Sequence, residues 1–213
     1  MRCIECDDDV VEGLVALRTL DPALTRALDA VDHVPLRRST PDFEGLARIV
    51  IAQQVSVASA KAITTRTIET LGALEAAAFA AASDEALKAC GLSRPKQRTL
   101  RAIAQALPDC EAFTQLNASN GEAMETQLVA IHGVGPWTAH IYRLFCVGHA
   151  DMMPAGDLAL QKAAAWALGE PERMSAYALA KRAEVWSPWR GVAARLLWAY
   201  HSVVQDGRSG IAL

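Results

Sequence analysis

Apolar residues recur about every three to four positions through most of this chain, and nowhere do they alternate with polar ones long enough to suggest a sheet. With alanine at roughly a fifth of the residues, that periodicity points to an all-α fold. The 213 residues suit one compact unit or two small lobes. A hydrophobic content of 52% against 21% charged is enough to bury a core and too apolar for disorder. No apolar run approaches the roughly 20 residues needed to cross a bilayer. The opening MRCIECDDDVVEG is acidic where a signal peptide would be basic and then apolar. The expectation is a soluble, cytoplasmic protein with no membrane association.

A net charge of −3 excludes a basic coat over the whole surface but not a local basic face. The five cysteines (Cys3, Cys6, Cys90, Cys110 and Cys146) are odd in number and scattered, a poor disulfide framework. Cys3 and Cys6 form a CxxC, but a zinc or redox site would want a second pair or a βαβ context. The plainer expectation is a frayed terminus with two free thiols.

Helical spacing covers Val11 to Leu20 and Pro22 to Val31, split by Asp21-Pro22, a cap followed by proline at the first helical position. His33 to Asp42 reads as a linker. Asp42 opens a long apolar helix, FEGLARIVIAQQ, and Ser56 caps the next, which stops at Gly72. Short alanine-rich helices fill Leu74 to Cys90, Ser93 caps Arg94 to Leu107, and Gly121 to Ile131 starts another. Asp157 begins a helix ending near Gly169, followed by Ser175 to Trp186 and Pro188 to Gln205. In the last, Val192, Leu196, Tyr200 and Val203 form an apolar stripe that Ala193, Leu197 and Val204 widen.

The informative stretch is LVAIHGVGPWTAHIYRLFCVG, Leu128 to Gly148. A helix ends at Ile131, Gly133-Val134-Gly135 turns the chain, and Pro136 opens a new helix. The two glycines allow positive φ and close backbone approach. The free amides at the new helix start make an anion site suited to a phosphate. On GVG alone, an ordinary helix-to-helix turn is the favoured reading.

The wider pattern is more specific. An apolar helix, then I-H-G-V-G-P-W-T-A, then a 22-residue step from Gly135 to Asp157 in P-A-G-D-L-A-L, resembles the helix-hairpin-helix DNA glycosylases of the GPD superfamily. The resemblance is closest to the alkylbase branch, the 3-methyladenine DNA glycosylase II type. IVIAQQVSVASAKAI (Ile49 to Ile63), GLSRPKQRTLRAIA (Gly91 to Ala104) and WSPWRGVAARLLW (Trp186 to Trp198) agree with it in order, over roughly residues 40 to 205. The extra amino-terminal β domain of some members does not fit in the segment upstream, so the match is to a short form.

The resemblance implies a two-lobed fold with the active site in a cleft between the lobes. One lobe is formed by residues 1–40 and 150–213; the other, residues 41–149, carries the hairpin (128–148). It implies a monofunctional enzyme that flips an alkylated base out of double-stranded DNA and hydrolyses its N-glycosidic bond, leaving an abasic site. Asp157 is the implied catalytic carboxylate, although its position alone favours an N-cap. An anion suits the oxocarbenium-like sugar of such a reaction and can orient the attacking water. Trp137 and Trp198, with Tyr142, are the implied walls of the base pocket, where aromatic faces hold a cationic purine. The backbone of Gly133, Val134 and Gly135, with Thr138, is implied to contact DNA. Gln53 and Gln54 are either ordinary helix-end residues or the plug that fills the gap left by the flipped base, with Gln54 as the plug residue. Arg94, Lys96, Arg98 and Arg101 are either a solvated face or a phosphate contact, and Lys96 is the implied contact among them.

The resemblance also implies a sodium or potassium ion held by the hairpin carbonyls of Val129, Ile131 and Val134, with no cofactor required for the reaction. Two positions depart from the family pattern: His132 stands where proline is common, and Ile141 where an aromatic is. The lyases of the same superfamily carry a lysine at the position of Trp137 for Schiff-base chemistry. Many also hold an iron–sulfur cluster on four cysteines near the carboxyl end. Here the position is tryptophan and no cysteine follows Cys146, so no iron–sulfur cluster and a monomeric hydrolase are expected. The alternatives are another specificity within the superfamily, or a non-enzymatic module that clamps the DNA backbone; the clamp would need neither Asp157 nor Trp137.

Overall fold

The computed structural model describes residues 2–205. Thirteen α-helices follow one another among them: α1 (Asp7–Leu20), α2 (Thr25–Ala30), α3 (Phe43–Ala52), α4 (Val57–Leu71), α5 (Ala76–Ala81), α6 (Asp84–Ala89), α7 (Arg94–Ala106), α8 (Cys110–Ala118), α9 (Gly121–Val129), α10 (Pro136–Ile141), α11 (Leu158–Leu168), α12 (Ala176–Arg182) and α13 (Arg190–Val204). Short 3-10 turns at Pro22–Leu24 and Ala183–Trp186 and a π-helical stretch at Tyr142–Val147 extend them. Among the described residues there is no sheet, only an isolated bridge between Cys3 and His149. The fold is all-α, and among the described residues no helix is long and apolar enough to cross a membrane. The chain forms two compact units, one from residues 2–38 and 148–205 and the other from 39–147.

In the first unit α13 is the central helix, packed against α1, α2 and α11. Val192, Ala193, Leu196, Leu197 and Tyr200 are buried as the stripe predicts, but Val203 and Val204, in the last turn of the helix, are exposed. Arg195, also buried, donates from Nε to the Leu36 carbonyl at 2.9 Å and so pins the irregular linker to the core helix. Burial, with Arg38 and Arg37 nearby, lowers its guanidinium to about 9. The amino terminus is not frayed: Ile4 N–H donates to Gly148 O at 2.7 Å, and Ala150 N–H to Arg2 O at 3.0 Å. The Asp9 carboxylate collects the amides of Glu5 and Cys6, which starts α1 at Asp7, a turn earlier than the apolar spacing indicates.

Asp21 lies deep in this unit. Its carboxylate caps the turn at Pro22 through the Ala23 amide at 3.2 Å, accepts the Trp186 indole at 2.7 Å and pairs with Arg182. One carboxylate therefore joins the end of α1 to the segment that leads into α13.

The second unit is built around α3, whose Phe43, Leu46, Ala47, Ile49, Val50 and Ile51 are all buried. It packs on α4, α7, α10 and the π-helical stretch. Asp42 caps it through the Gly45 amide at 3.0 Å, and α4 stops at Gly72, as the sequence indicates. Ser93 stands before α7 but its side chain makes no capping bond, so Pro95 in the first turn starts that helix instead. A helix absent from the sequence reading, α8, is capped by Asp109 and buries Phe113 and Leu116.

Replacing Asp21 with alanine leaves the Trp186 indole and Arg182 without their shared acceptor. Urea unfolding of the Asp21→Ala variant should show a loss of about 2–3 kcal/mol; a loss below about 0.5 kcal/mol, the range of ordinary surface changes, would remove Asp21 from the unit's framework.

Candidate functional site

Residues Pro154 to Gly156 lead into α11, and Asp157 stands at its N-cap. Its Oδ1 accepts the amides of Ala159 at 2.9 Å and Leu160 at 3.0 Å, and the Trp198 indole N–H at 3.3 Å. Capping and chemistry are thus compatible roles, since the capping bonds are what fix the carboxylate. The group is half-buried at the positive end of a helix dipole. Gln161, one turn into α11, donates to Ala155 O at 2.8 Å and holds the preceding loop.

Trp198 is 3% exposed, so it acts here as a buried donor to the carboxylate, and little of its ring is open. His201, one turn further along α13, was not singled out by sequence. Its ring stacks on Trp166 with centroids 5.3 Å apart. Burial, helped by Lys162, lowers the His201 imidazole from its ordinary value, while Asp157 acts the other way. The signal for it was the helical spacing from Trp198, which places both residues on one face.

The hairpin turn runs from the end of α9 to Pro136. Ile131 N–H donates to Leu128 O at 3.1 Å and Val134 N–H to Ile131 O at 3.0 Å. The Val134 amide is therefore closed internally, whereas those of Gly133 and Gly135 meet no acceptor among the described residues. Gly133 has φ +83°, and a Cβ there would stand 1.9 Å from Thr99 Oγ1 of α7, so conformation and space both demand glycine. Gly135 has φ −94° and nothing within 4 Å of where a Cβ would stand. Positive φ is needed at one glycine of the pair, and the second keeps a space open on the outside.

Behind the turn, Glu125 of α9 ties the hairpin together, taking Arg143 Nη1 at 3.0 Å and lying 2.9 Å from His140 Nε2. The carbonyl of Ile131 holds the Val134 amide and keeps a second lone pair. Backbone carbonyl oxygen is a ligand type that a monovalent cation takes.

Between α3 and α4, Gln53 and Gln54 turn the chain, and Ser56 caps α4 through the Ser59 amide at 3.2 Å. Gln54 is exposed and has φ +56°, a left-handed conformation costing a non-glycine residue about 1–3 kcal/mol. Gln53 Nε2 donates to Thr138 Oγ1 at 2.9 Å, so two residues expected to contact DNA bond each other, and Thr138 is buried. Lys96 Nζ donates to the carbonyls of Ile51 and Gln53, each at 2.7 Å, and burial lowers its ammonium from the ordinary value. Its charge is directed at the carbonyl end of α3.

Tyr142 lies in the core of its unit. It is fully buried, its hydroxyl donates to Asn117 Oδ1 at 3.0 Å, and its ring packs at a tilt on Phe113. Burial raises its phenol far above the ordinary value. Ile141 is equally buried, so its departure from an aromatic is a core substitution. Trp137 is half-buried in the first turn of α10. Of the basic run, Arg101 pairs with Asp84 and the Ala82 carbonyl, and Arg94 and Arg98 are exposed. The four charges do not act as one patch.

Residues 47–188 match the family described as HhH-GPD superfamily base excision DNA repair protein. DNA-3-methyladenine glycosylase 1 of Schizosaccharomyces pombe is 30% identical over 210 residues, which cover 92% of this chain and 91% of that protein. A Mycobacterium tuberculosis protein described as a probable bifunctional transcriptional activator/DNA repair enzyme is 30% identical over 207 residues, 92% of this chain but 41% of its own length. The chain thus spans less than half of that relative. A solved 3-methyladenine DNA glycosylase of the same yeast, in complex with abasic DNA, has a TM-score of 0.78 at 27% identity, covering 88% of this chain and 95% of that one.

The two hairpin glycines should respond differently to alanine. Gly133→Ala should lower stability by about 1–3 kcal/mol in thermal melts. Gly135→Ala should melt within about 0.5 kcal/mol of the parent yet bind duplex DNA more weakly; equal melting of the two variants would contradict the turn described above. A second outcome concerns pH. Because His201 is held below its ordinary value, the unfolded chain takes up that proton first as the solution is acidified. Stability should therefore fall with pH through about 6.5 and level off below the folded-state value. His201→Asn should flatten that decline in melts recorded from about pH 7 to 5; an unchanged slope would exclude His201 as its source.

Proposed function

The chain belongs to the HhH-GPD superfamily of base excision DNA repair proteins, and we propose that it hydrolyses the N-glycosidic bond of alkylated purines in double-stranded DNA. The observation that carries this reading is the Asp157 carboxylate, held by two amides and an indole at a helix start. Its substrate is a base made cationic by alkylation at a ring nitrogen. Such a base leaves as a neutral molecule, so breaking the bond needs no general acid, and one carboxylate can carry the chemistry. As the bond breaks, its electron pair goes to the base and positive charge grows on the sugar ring. Asp157 stabilises that charge and orients the water whose oxygen bonds to the anomeric carbon. The proton released by that water passes to the carboxylate or to solvent.

Trp137 supplies the aromatic face for the cationic base, worth about 0.5–2 kcal/mol. An indole nitrogen cannot form a Schiff base, because its lone pair belongs to the ring system. The product is therefore an abasic site in an uncut strand. The amides of Gly133 and Gly135 hold the DNA backbone, and a sodium or potassium ion on the carbonyls of Val129, Ile131 and Val134 would add positive charge for a phosphate. Gln54 fills the gap in the duplex. The protein works as a monomer in the cytoplasm, on the nucleoid if the host is bacterial.

The test is to incubate the protein with methylated DNA and identify what is released. Methylated purines should appear in solution, and Asp157→Asn should bind DNA as before while releasing them about 100- to 1,000-fold more slowly. Near-normal release by a folded Asp157→Asn protein would remove Asp157 from the reaction. Borohydride should trap no protein–DNA adduct, and the strand should be cut only after alkali; an adduct would mark the lyase branch instead.

A further inference from the structure

The Lys96 ammonium bridges two carbonyls at the negative end of α3, those of Ile51 and Gln53. The second of these oxygens belongs to the peptide plane that joins Gln53 to Gln54. Rotating that plane changes ψ of Gln53 and φ of Gln54 in opposite senses, so whatever fixes the Gln53 carbonyl also fixes φ of Gln54. That angle is +56°, a region which a glutamine leaves when nothing holds it. The side chain of Gln53 is anchored separately, to Thr138 Oγ1 at 2.9 Å. The turn is thus clamped at Ile51, at the Gln53 carbonyl and at the Gln53 amide group, and Gln54 is left as its exposed side chain.

We propose that Lys96 is a positioning residue for base extrusion, holding Gln54 in its left-handed conformation so that the side chain is preset to enter the duplex. This rests on the glycosylase reading above. The bridging suits lysine, whose ammonium offers three donors from a single point, where the planar guanidinium of arginine would present a wider fork. Burying the ammonium works against its charge, and what the buried charge secures is the shape of a surface turn. The helix that carries Lys96 also carries Thr99, one turn on, which packs beneath Gly133 in the hairpin. α7 thereby sets both the turn that plugs the duplex and the turn that binds its backbone.

The experiment compares the full chain with Lys96→Met and Lys96→Gln, using whichever variant melts closest to the parent. Extrusion is read without chemistry, from the fluorescence of 2-aminopurine placed beside an abasic-site analogue in a duplex, and affinity from the anisotropy of labelled undamaged duplex. Single-turnover release is then followed from a paired methylated base and from the same base in a bulge, where extrusion is already easy. The proposal expects unchanged affinity for undamaged DNA, loss of most of the fluorescence rise, and release slowed roughly 10- to 100-fold on the paired substrate but little on the bulge. Hydrogen exchange at residues 53–55 should quicken while that of α10 does not.

Equal slowing on both substrates, an unchanged fluorescence rise, or unfolding of both variants would make Lys96 a structural staple and overturn the proposal. Absence of base release by the parent protein would sink the glycosylase reading instead. The fluorescence and exchange results would still decide the role of Lys96.

Discussion

Each helix end leaves amides or carbonyls without an intrahelical partner, and a chain cut into thirteen mostly short helices among its described residues has many such ends. Most of its informative contacts answer that demand. Asp157 closes the amides of α11, Asp42, Ser56, Asp109 and Asn120 close those of α3, α4, α8 and α9, and Lys96 closes the carbonyls of α3. The proposed chemistry draws on the same places. A capping carboxylate is held still and stays near solvent, which suits it to face a cationic sugar. The amides left open at Gly133 and Gly135 are in turn the ones that suit a phosphate.

The helix pattern was legible because burial of one face imposes its period on the sequence. α3, α4, α11 and α13 sit close to where the apolar spacing and the caps place them. The short α8 escaped because its two buried residues, Phe113 and Leu116, are too few to set up a period, though Asp109 was a readable cap. The outer end of α13 went the other way: Val203 and Val204 continue the apolar pattern but are exposed.

Side-chain roles were less legible than backbone. The place of Asp157 at a helix start could be read because its neighbours Gly156 and Leu158 are local facts of sequence. Lys96, Thr138 and Tyr142 could not be assigned that way. Whether a lysine in a basic run faces solvent or a helix end depends on which carbonyls the fold brings beside it, and Ile51 and Gln53 lie more than 40 residues upstream. Tyr142 stands next to a buried isoleucine, and on a helix only the packing of Phe113 and Asn117 decides which of the two points inward; here both do. Gly133 and Gly135 look alike in sequence and sit on opposite sides of the φ map, at +83° and −94°.

Net charge bears on how such a protein would hold DNA. At −3 the chain as a whole gains little from long-range attraction to a polyanion. Two cations that sequence offers for the purpose, Lys96 and Arg101, are committed to carbonyls and to Asp84. What remains for phosphate is short-ranged: the open amides of the hairpin, any cation held on its carbonyls, and exposed arginines such as Arg94 and Arg98. The amides among them depend on backbone geometry, and the arginines on counterion release. A glycine with a packed underside, Gly133 over Thr99, keeps that geometry from varying. Capture by such contacts is weak on any stretch of duplex, so under the proposed function discrimination falls at the step where a base leaves the stack, the step on which the proposed plug role of Gln54 bears.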